Sequence, residues 1–165
     1  MHCPAPRHHP HLRALPLVLA CLAAPAWADA PVDPAPDDAL WINLGGFSHH
    51  ANQDKDYNEN NLGLGLEYRV HPDATLMAGM FVNSVRQNTS YMAVNWQPGS
   101  LGDWKLGAAI GLMNGYPGIA RGGTFVAAVP MASYEGQRFG LNVGLIPSVG
   151  RVDGALVLQL KWRLR

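Results

Sequence analysis

From about residue 40 onward, apolar residues alternate one for one with small or polar residues. Leu62, Leu64, Leu66, Tyr68 and Val70 share one face of a two-residue repeat, against Gly63, Gly65, Glu67 and Arg69. Trp104, Leu106, Ala108, Ile110 and Leu112 oppose Lys105, Gly107, Ala109 and Gly111. Phe139, Leu141, Val143 and Leu145 oppose Gly140, Asn142 and Gly144. Leu156, Leu158, Leu160, Trp162 and Leu164 oppose Val157, Gln159, Lys161 and Arg163. A period of two marks strands whose faces meet different surroundings. Eight strands are expected, at 41–50, 61–70, 74–83, 89–97, 103–114, 122–134, 137–147 and 153–164. Their connections alternate in length. His71-Pro72-Asp73, the stretch from Pro98 to Gly102, and Glu135-Gly136 read as tight turns, while 51–60, 84–88, 115–121 and 148–152 are mostly longer.

A soluble sandwich alternates in the same way, but two features favour a membrane barrel. The polar face is small and glycine-rich, as a narrow lumen requires. Trp41, Tyr68, Trp96, Trp104 and Trp162 stand near strand ends, where an interfacial girdle would place them. The expected fold is all-β, an eight-stranded antiparallel transmembrane β-barrel. Eight strands enclose a lumen just wide enough for side chains or one slim ligand, which argues against a porin. With the N-terminus in the periplasm, His49, His50, Asn83 and Ser84 fall at the outer rim.

The N-terminal segment adds export. Arg7 and Arg13 precede an apolar run from Ala14 to Ala24, and Ala26-Trp27-Ala28 is a small-x-small cleavage site. Residues 1–28 therefore read as a secretory signal, too short to span a bilayer as a helix. Val18-Leu19-Ala20 before Cys21 makes a poor lipobox. Cleavage after Ala28 would remove Cys3 and Cys21, and with them any disulfide. It would also remove His8, His9 and His11, which resemble a metal cluster only by proximity. Residues 29–39, rich in Pro and Asp, read as a flexible periplasmic lead-in, and 40–165 as one outer-membrane barrel domain. Formal charge is zero, with 12 Lys+Arg and 12 Asp+Glu, so nothing points to nucleic acid. No cofactor or metal is expected, and the barrel is expected as a monomer in the outer membrane.

Two prolines break the pattern. Pro130 and Pro147 fall in neighbouring strands, where a residue without an N–H weakens the ladder. Closed barrels in lipid leave little room for unpaired backbone. Two gaps on adjacent strands therefore suggest a seam through which a lipid could pass sideways. The plainer explanation is placement at a strand end or bulge, which suits Pro147 better than Pro130.

Four segments, covering most of 41–165, resemble the PagP family of outer-membrane lipid A palmitoyltransferases. They are Asp56-Tyr57-Asn58-Glu59 with Gly63-Leu64-Gly65-Leu66; Gly79-Met80-Phe81-Val82-Asn83-Ser84 running on to Asn95-Trp96; Val129-Pro130-Met131-Ala132-Ser133 with Ile146-Pro147; and Lys161-Trp162-Arg163. The resemblance implies transfer of an acyl chain from a phospholipid donor to a lipid A or lipopolysaccharide acceptor. It implies a catalytic role for His50, with His49 as alternate, and for Ser84. The family's aspartate is replaced by Asn83, and an amide cannot charge-stabilise an imidazole as a carboxylate does. Glu59, Asp54 and Asp56 are possible substitutes. Pro130 and Pro147 match one lateral gate, whereas Gly45 and Asn61 replace the prolines of a second. Asn95 occupies the place of the glycine at the floor of the family's acyl pocket, which implies a shorter or more polar base. The family's N-terminal amphipathic helix is not visible. Glu67, Arg69, Lys105, Lys161 and Arg163 would pair in the lumen below. Two other functions compete. A non-enzymatic barrel would account for Asn83. A lipid A deacylase would want a histidine near a serine on a late strand, and strands six to eight contain no histidine.

Overall fold

Leu40 begins the first of eight strands that close on themselves. A computed structural model describes residues 39–150 and 152–165. The signal-like segment 1–28, with its cysteines and histidines, lies outside the described residues, as does the lead-in apart from Ala39. The strands are β1 (Leu40–His50), β2 (Asn60–Asn61 and Gly63–His71, interrupted at Leu62), β3 (Ala74–Val82) and β4 (Asn88–Leu101). They continue with β5 (Trp104–Met113), β6 (Phe125–Glu135), β7 (Phe139–Ile146) and β8 (Ala155–Arg163). Each pairs antiparallel with its chain neighbour, and β1 closes the barrel on β8, from Trp41 opposite Arg163 to His50 opposite Ala155. Short turns gather at one end. The other end carries loop 1 (51–59), loop 2 (83–87), loop 3 (114–124) and loop 4 (147–154).

Polarity is inverted relative to a soluble protein. Leu62 and Val126 are 72% exposed and Met92 68%, part of an apolar belt facing outward from every strand. The largest buried side chains are mostly polar or charged. In water such a belt would be an aggregation surface; in hydrocarbon it is the required one. Tyr68, Trp96, Tyr134, Phe139 and Trp162 form an outward aromatic band at the short-turn end. Two cross-strand pairs tie it together, Trp104–Tyr134 at 5.7 Å and Phe139–Trp162 at 4.6 Å between ring centroids.

Trp41 does not belong to that band. It is fully buried in the lumen, with Lys161 Nζ 5.0 Å and Arg163 Cζ 4.6 Å from its ring centroid. A β-bulge between Asn43 and Gly46 is responsible, since it inserts one extra residue and reverses the parity of β1. Gly45 serves the bulge with φ +93°, a conformation that disfavours any side chain. Trp41 and Asn43 therefore point inward below the bulge, and Ser48 and His50 above it. A second bulge, between Trp96 and Gly99, contains Pro98, so β4 runs through the proline to Leu101 instead of turning there.

The lower lumen is filled by one connected network. Lys161 Nζ donates to Glu67 Oε2 and Glu135 Oε1, both at 2.8 Å, and Arg69 also binds Glu135. Asn142 donates to Glu67 and, at 3.1 Å, to Gln159 Oε1. Ser133 Oγ donates to Asn142 Oδ1 at 2.8 Å and accepts from Gln97 Nε2 at 2.9 Å. Lys105 and Arg69 each donate to the Pro72 carbonyl at 3.0 Å. All five charges expected in the lumen face inward. Glu135, expected in a turn, is the acid that joins two of them.

Candidate functional site at the long-loop end

Above that polar layer the lumen is lined differently. Phe81, Ala93, Gly111, Met113, Ala127, Val129, Met131 and Val157 face inward, and each keeps partial exposure. This combination describes an apolar hollow. Tyr91 spans part of its base, where its hydroxyl accepts from Asn43 Nδ2 at 3.4 Å. Gly65 and Gly79 make room for that ring: a Cβ would fall 2.5 Å from the hydroxyl at Gly65 and 2.8 Å at Gly79. Asn95 lies in the polar layer beneath, buried, its Nδ2 3.5 Å from Ser133 Oγ.

The wall beside the hollow is incomplete. The β5–β6 ladder runs ten residues, from Trp104 opposite Tyr134 to Met113 opposite Phe125. The β6–β7 ladder runs only five, from Glu135 opposite Gly140 to Met131 opposite Gly144. It stops at the residue before Pro130 is reached, so Phe125–Pro130 have no partner on the β7 side. Pro147 follows the last residue of β7. The two prolines thus stand at the two margins of the gap. An unpaired backbone N–H in lipid is costly, and proline has none to leave unpaired. The β1–β2 ladder also skips, from Asn43 opposite Gly65 to Gly46 opposite Asn61. There Asn61 Nδ2 bridges to the Val82 carbonyl at 3.0 Å and ties the break to β3.

The two histidines have opposite orientations. The His49 side chain is 63% exposed, its Nδ1 3.4 Å from Glu59 Oε1. His50 is 6% exposed and points inward. Its ring stacks on Tyr57 with centroids 4.3 Å apart and planes 29° from parallel. Its Nδ1 is buried and finds no hydrogen-bond partner among the described residues, while its backbone N–H donates to Glu59 Oε1 at 3.3 Å. Glu59 therefore engages the His49 ring and the His50 backbone. Asp56 pairs with Arg86 at 3.0 Å. Asp54 shows only a bond from its backbone N–H to Asn52 Oδ1, at 3.1 Å.

Asn83 and Ser84 belong to the neighbouring loops. Asn83 is fully buried, and its Nδ2 donates to Thr89 Oγ1 at 3.0 Å and Gly115 O at 2.7 Å. Its Oδ1 accepts from the N–H groups of Val85 at 3.0 Å and Gln87 at 2.9 Å. Both donors and both acceptor sites of the amide are thereby occupied. Burial pushes the pKa of the Tyr116 phenol up, and the nearby Ser84 side chain draws it back. Among the described residues, no hydrogen bond joins Asn83 or Ser84 to either histidine. Asn83→Asp is expected to loosen loop 2 instead of supplying a missing acid. A carboxylate cannot donate to Thr89 or Gly115, and it would face the Gly115 carbonyl. The expected cost is about 1–3 kcal/mol, read by urea unfolding in micelles, with no gain in any activity.

Sequence reasoning missed Asp153. This loop 4 residue accepts from Lys55 Nζ at 2.6 Å, from the Tyr57 hydroxyl, and from Asn52 Nδ2 at 3.4 Å. The Lys55 and Tyr57 hydrogen bonds hold its carboxyl at about 2, below the usual range. No sequence motif signals a partner some hundred residues away.

No family model matches this sequence, and no curated protein matches it. Solved structures do resemble the fold. A chain described under the de novo design of transmembrane β-barrels aligns over 79% of this chain and 98% of its own, at 14% identity and TM-score 0.52. The de novo designed TMB2.3, solved by solution NMR, aligns over the same shares at 16% identity and TM-score 0.55. The N-terminal β-barrel domain of Pseudomonas aeruginosa OprF aligns over 78% of this chain and 98% of its own, at 14% identity and TM-score 0.43. For the two designed barrels, at these identities, the likeness is one of fold. The chain is an eight-stranded antiparallel transmembrane β-barrel.

Proposed function

We propose that the chain is an outer-membrane acyltransferase-like barrel that takes an acyl chain sideways into its upper lumen and transfers it to a lipid A hydroxyl. The observation that carries this is the β6–β7 ladder ending below Pro130, beside an apolar hollow. In the proposal, residues 1–28 export the chain and are removed, 29–39 lead into the barrel, and the long loops face outward. Phospholipid is the donor, lipopolysaccharide the acceptor, and one barrel suffices.

His50 is the only one of the two rim histidines that faces the hollow, and it acts as the base. Its imidazole takes the proton of the acceptor hydroxyl, whose oxygen attacks the donor's ester carbonyl. The tetrahedral intermediate collapses with loss of the lysophospholipid oxygen, which receives that proton back. Stacking on Tyr57 orients the ring where, among the described residues, no acid bonds Nδ1. A non-enzymatic barrel is the second reading, favoured by one observation: the amide at the family's aspartate position is wholly used in loop architecture.

Mass spectrometry of lipid A from cells with and without the gene tests the proposal. A gain of one acyl mass is expected, of a length to be read directly. Loss of acyl mass would point to deacylation, and no change in cells holding folded barrel would leave the scaffold reading. The seam is tested separately. Pro130→Val with Pro147→Val restores two ladder donors and is expected to slow transfer about tenfold, roughly 1.4 kcal/mol of barrier, while raising resistance to urea.

A further inference from the structure

Loop 1 carries Tyr57, the one aromatic ring among the described residues that stacks on the His50 imidazole, and loop 1 itself is tethered chiefly from outside. Arg86 of loop 2 holds Asp56 at one side. At the other side, Asp153 of loop 4 gathers three loop 1 donors on one carboxylate. Clefts of about 550 and 430 Å3 open at this junction, the first lined by Asp153 and the second by His50 and Tyr57. Glu59 does not substitute for it, because its carboxylate is committed to His49 and to the His50 backbone.

We infer that Asp153 is a positioning residue: by binding the Tyr57 hydroxyl and the Lys55 ammonium, it fixes the phenol face on which the inward histidine is oriented. Its effect on rate rests on the acyl-transfer proposal; the geometry does not. A stacked ring sets orientation only if the partner ring is itself held. Tyr57 is held at its hydroxyl by Asp153, and the carboxylate is held in turn by Lys55 and Asn52. The arrangement replaces a direct acid–imidazole bond with an acid–phenol bond and a stack. A shift of the histidine by about 1 Å can cost as much as a hundredfold in rate, so a remote tether of this kind is felt at the reacting atoms.

The test uses the full chain folded in mixed micelles, with dipalmitoylphosphatidylcholine as donor and lipid A as acceptor. Asp153→Asn is compared with Asp153→Glu and Tyr57→Phe, and folding of each is checked by circular dichroism. Two readouts are independent of activity. One is the ring-current shift that Tyr57 imposes on the His50 imidazole protons. The other is the rate of tryptic cleavage after Lys55. Asp153→Asn is expected to lower kcat about tenfold or more with KM for donor little changed, to collapse the His50 shift, and to speed cleavage after Lys55. Tyr57→Phe should reproduce the loss, and Asp153→Glu should restore most of it. Full kcat with an unchanged His50 shift in Asp153→Asn would overturn the inference. A wild-type protein that transfers nothing would overturn the acyl-transfer proposal instead, and the shift and cleavage rate would still decide whether Asp153 orients His50.

Discussion

In His50→Ala, acyl transfer is expected to fall by about 10²–10⁴-fold, the usual worth of a positioned general base, while the barrel still folds. His50 is buried at the mouth of the hollow, yet its side chain makes no ladder contact and its Nδ1 has no partner. Removing it therefore breaks no hydrogen bond from the ring. His49→Ala supplies the internal control. That side chain points outward, and its contact to Glu59 is a surface one, so its loss should change the rate less than about threefold, in keeping with the small worth of exposed pairs. The measurement is lipid A mass from cells expressing each variant at equal barrel levels. Equal loss in both variants would count against an inward-facing base.

Lys161→Met should cost about 3–5 kcal/mol of barrel stability, because it strands buried charge without a partner. Lys161 is 1% exposed and Glu67 is fully buried. Of the three groups that bond Glu135 or Glu67 among the described residues, Lys161 is the only one that touches both acids. Without it Glu67 keeps only the Asn142 amide, while Glu135 keeps Arg69. Methionine fills similar volume beside Trp41, so the effect comes from charge, not from a cavity. Adding Glu67→Gln removes the stranded charge and should recover a large part of the loss. Urea unfolding of micelle-folded protein reads both. Lys161→Met without measurable destabilisation would mean that the lower lumen is hydrated enough to solvate Glu67.

The strands were readable in the sequence because a barrel wall imposes period two on nearly every element. Leu64, Leu66 and Tyr68 can only face lipid if Gly65, Glu67 and Arg69 face the lumen. Trp41 could not be placed by that rule, since the bulge at Gly45 changes the phase of β1 and nothing in the alternation announces it. Pro98 illustrates the same limit: a proline that reads as a turn sits in a bulge, and the strand continues beyond it. The positions of Pro130 and Pro147 were visible as residues that a ladder tolerates poorly. How far the ladder retreats from them depends on pairing across the barrel. Of the rim groups, His50 and Glu59 were identifiable, but Asp153 was not, because its partners are assembled by loop packing over about a hundred residues of chain separation.

The most direct test of the lateral acyl site is photocrosslinking in a bilayer that contains a phospholipid with a photoactivatable acyl chain. Inward and outward residues alternate along β6, so peptide mapping separates the lumen from the lipid-facing wall on a single strand. Labelling of Ala127, Val129 and Met131, reduced by Pro130→Val with Pro147→Val, is the result expected of a lipid admitted through the seam. Labelling confined to Val126, Ala128 and Pro130, unchanged by closing the ladder, would show that the acyl chain stays outside the barrel and would contradict the proposed function at its base.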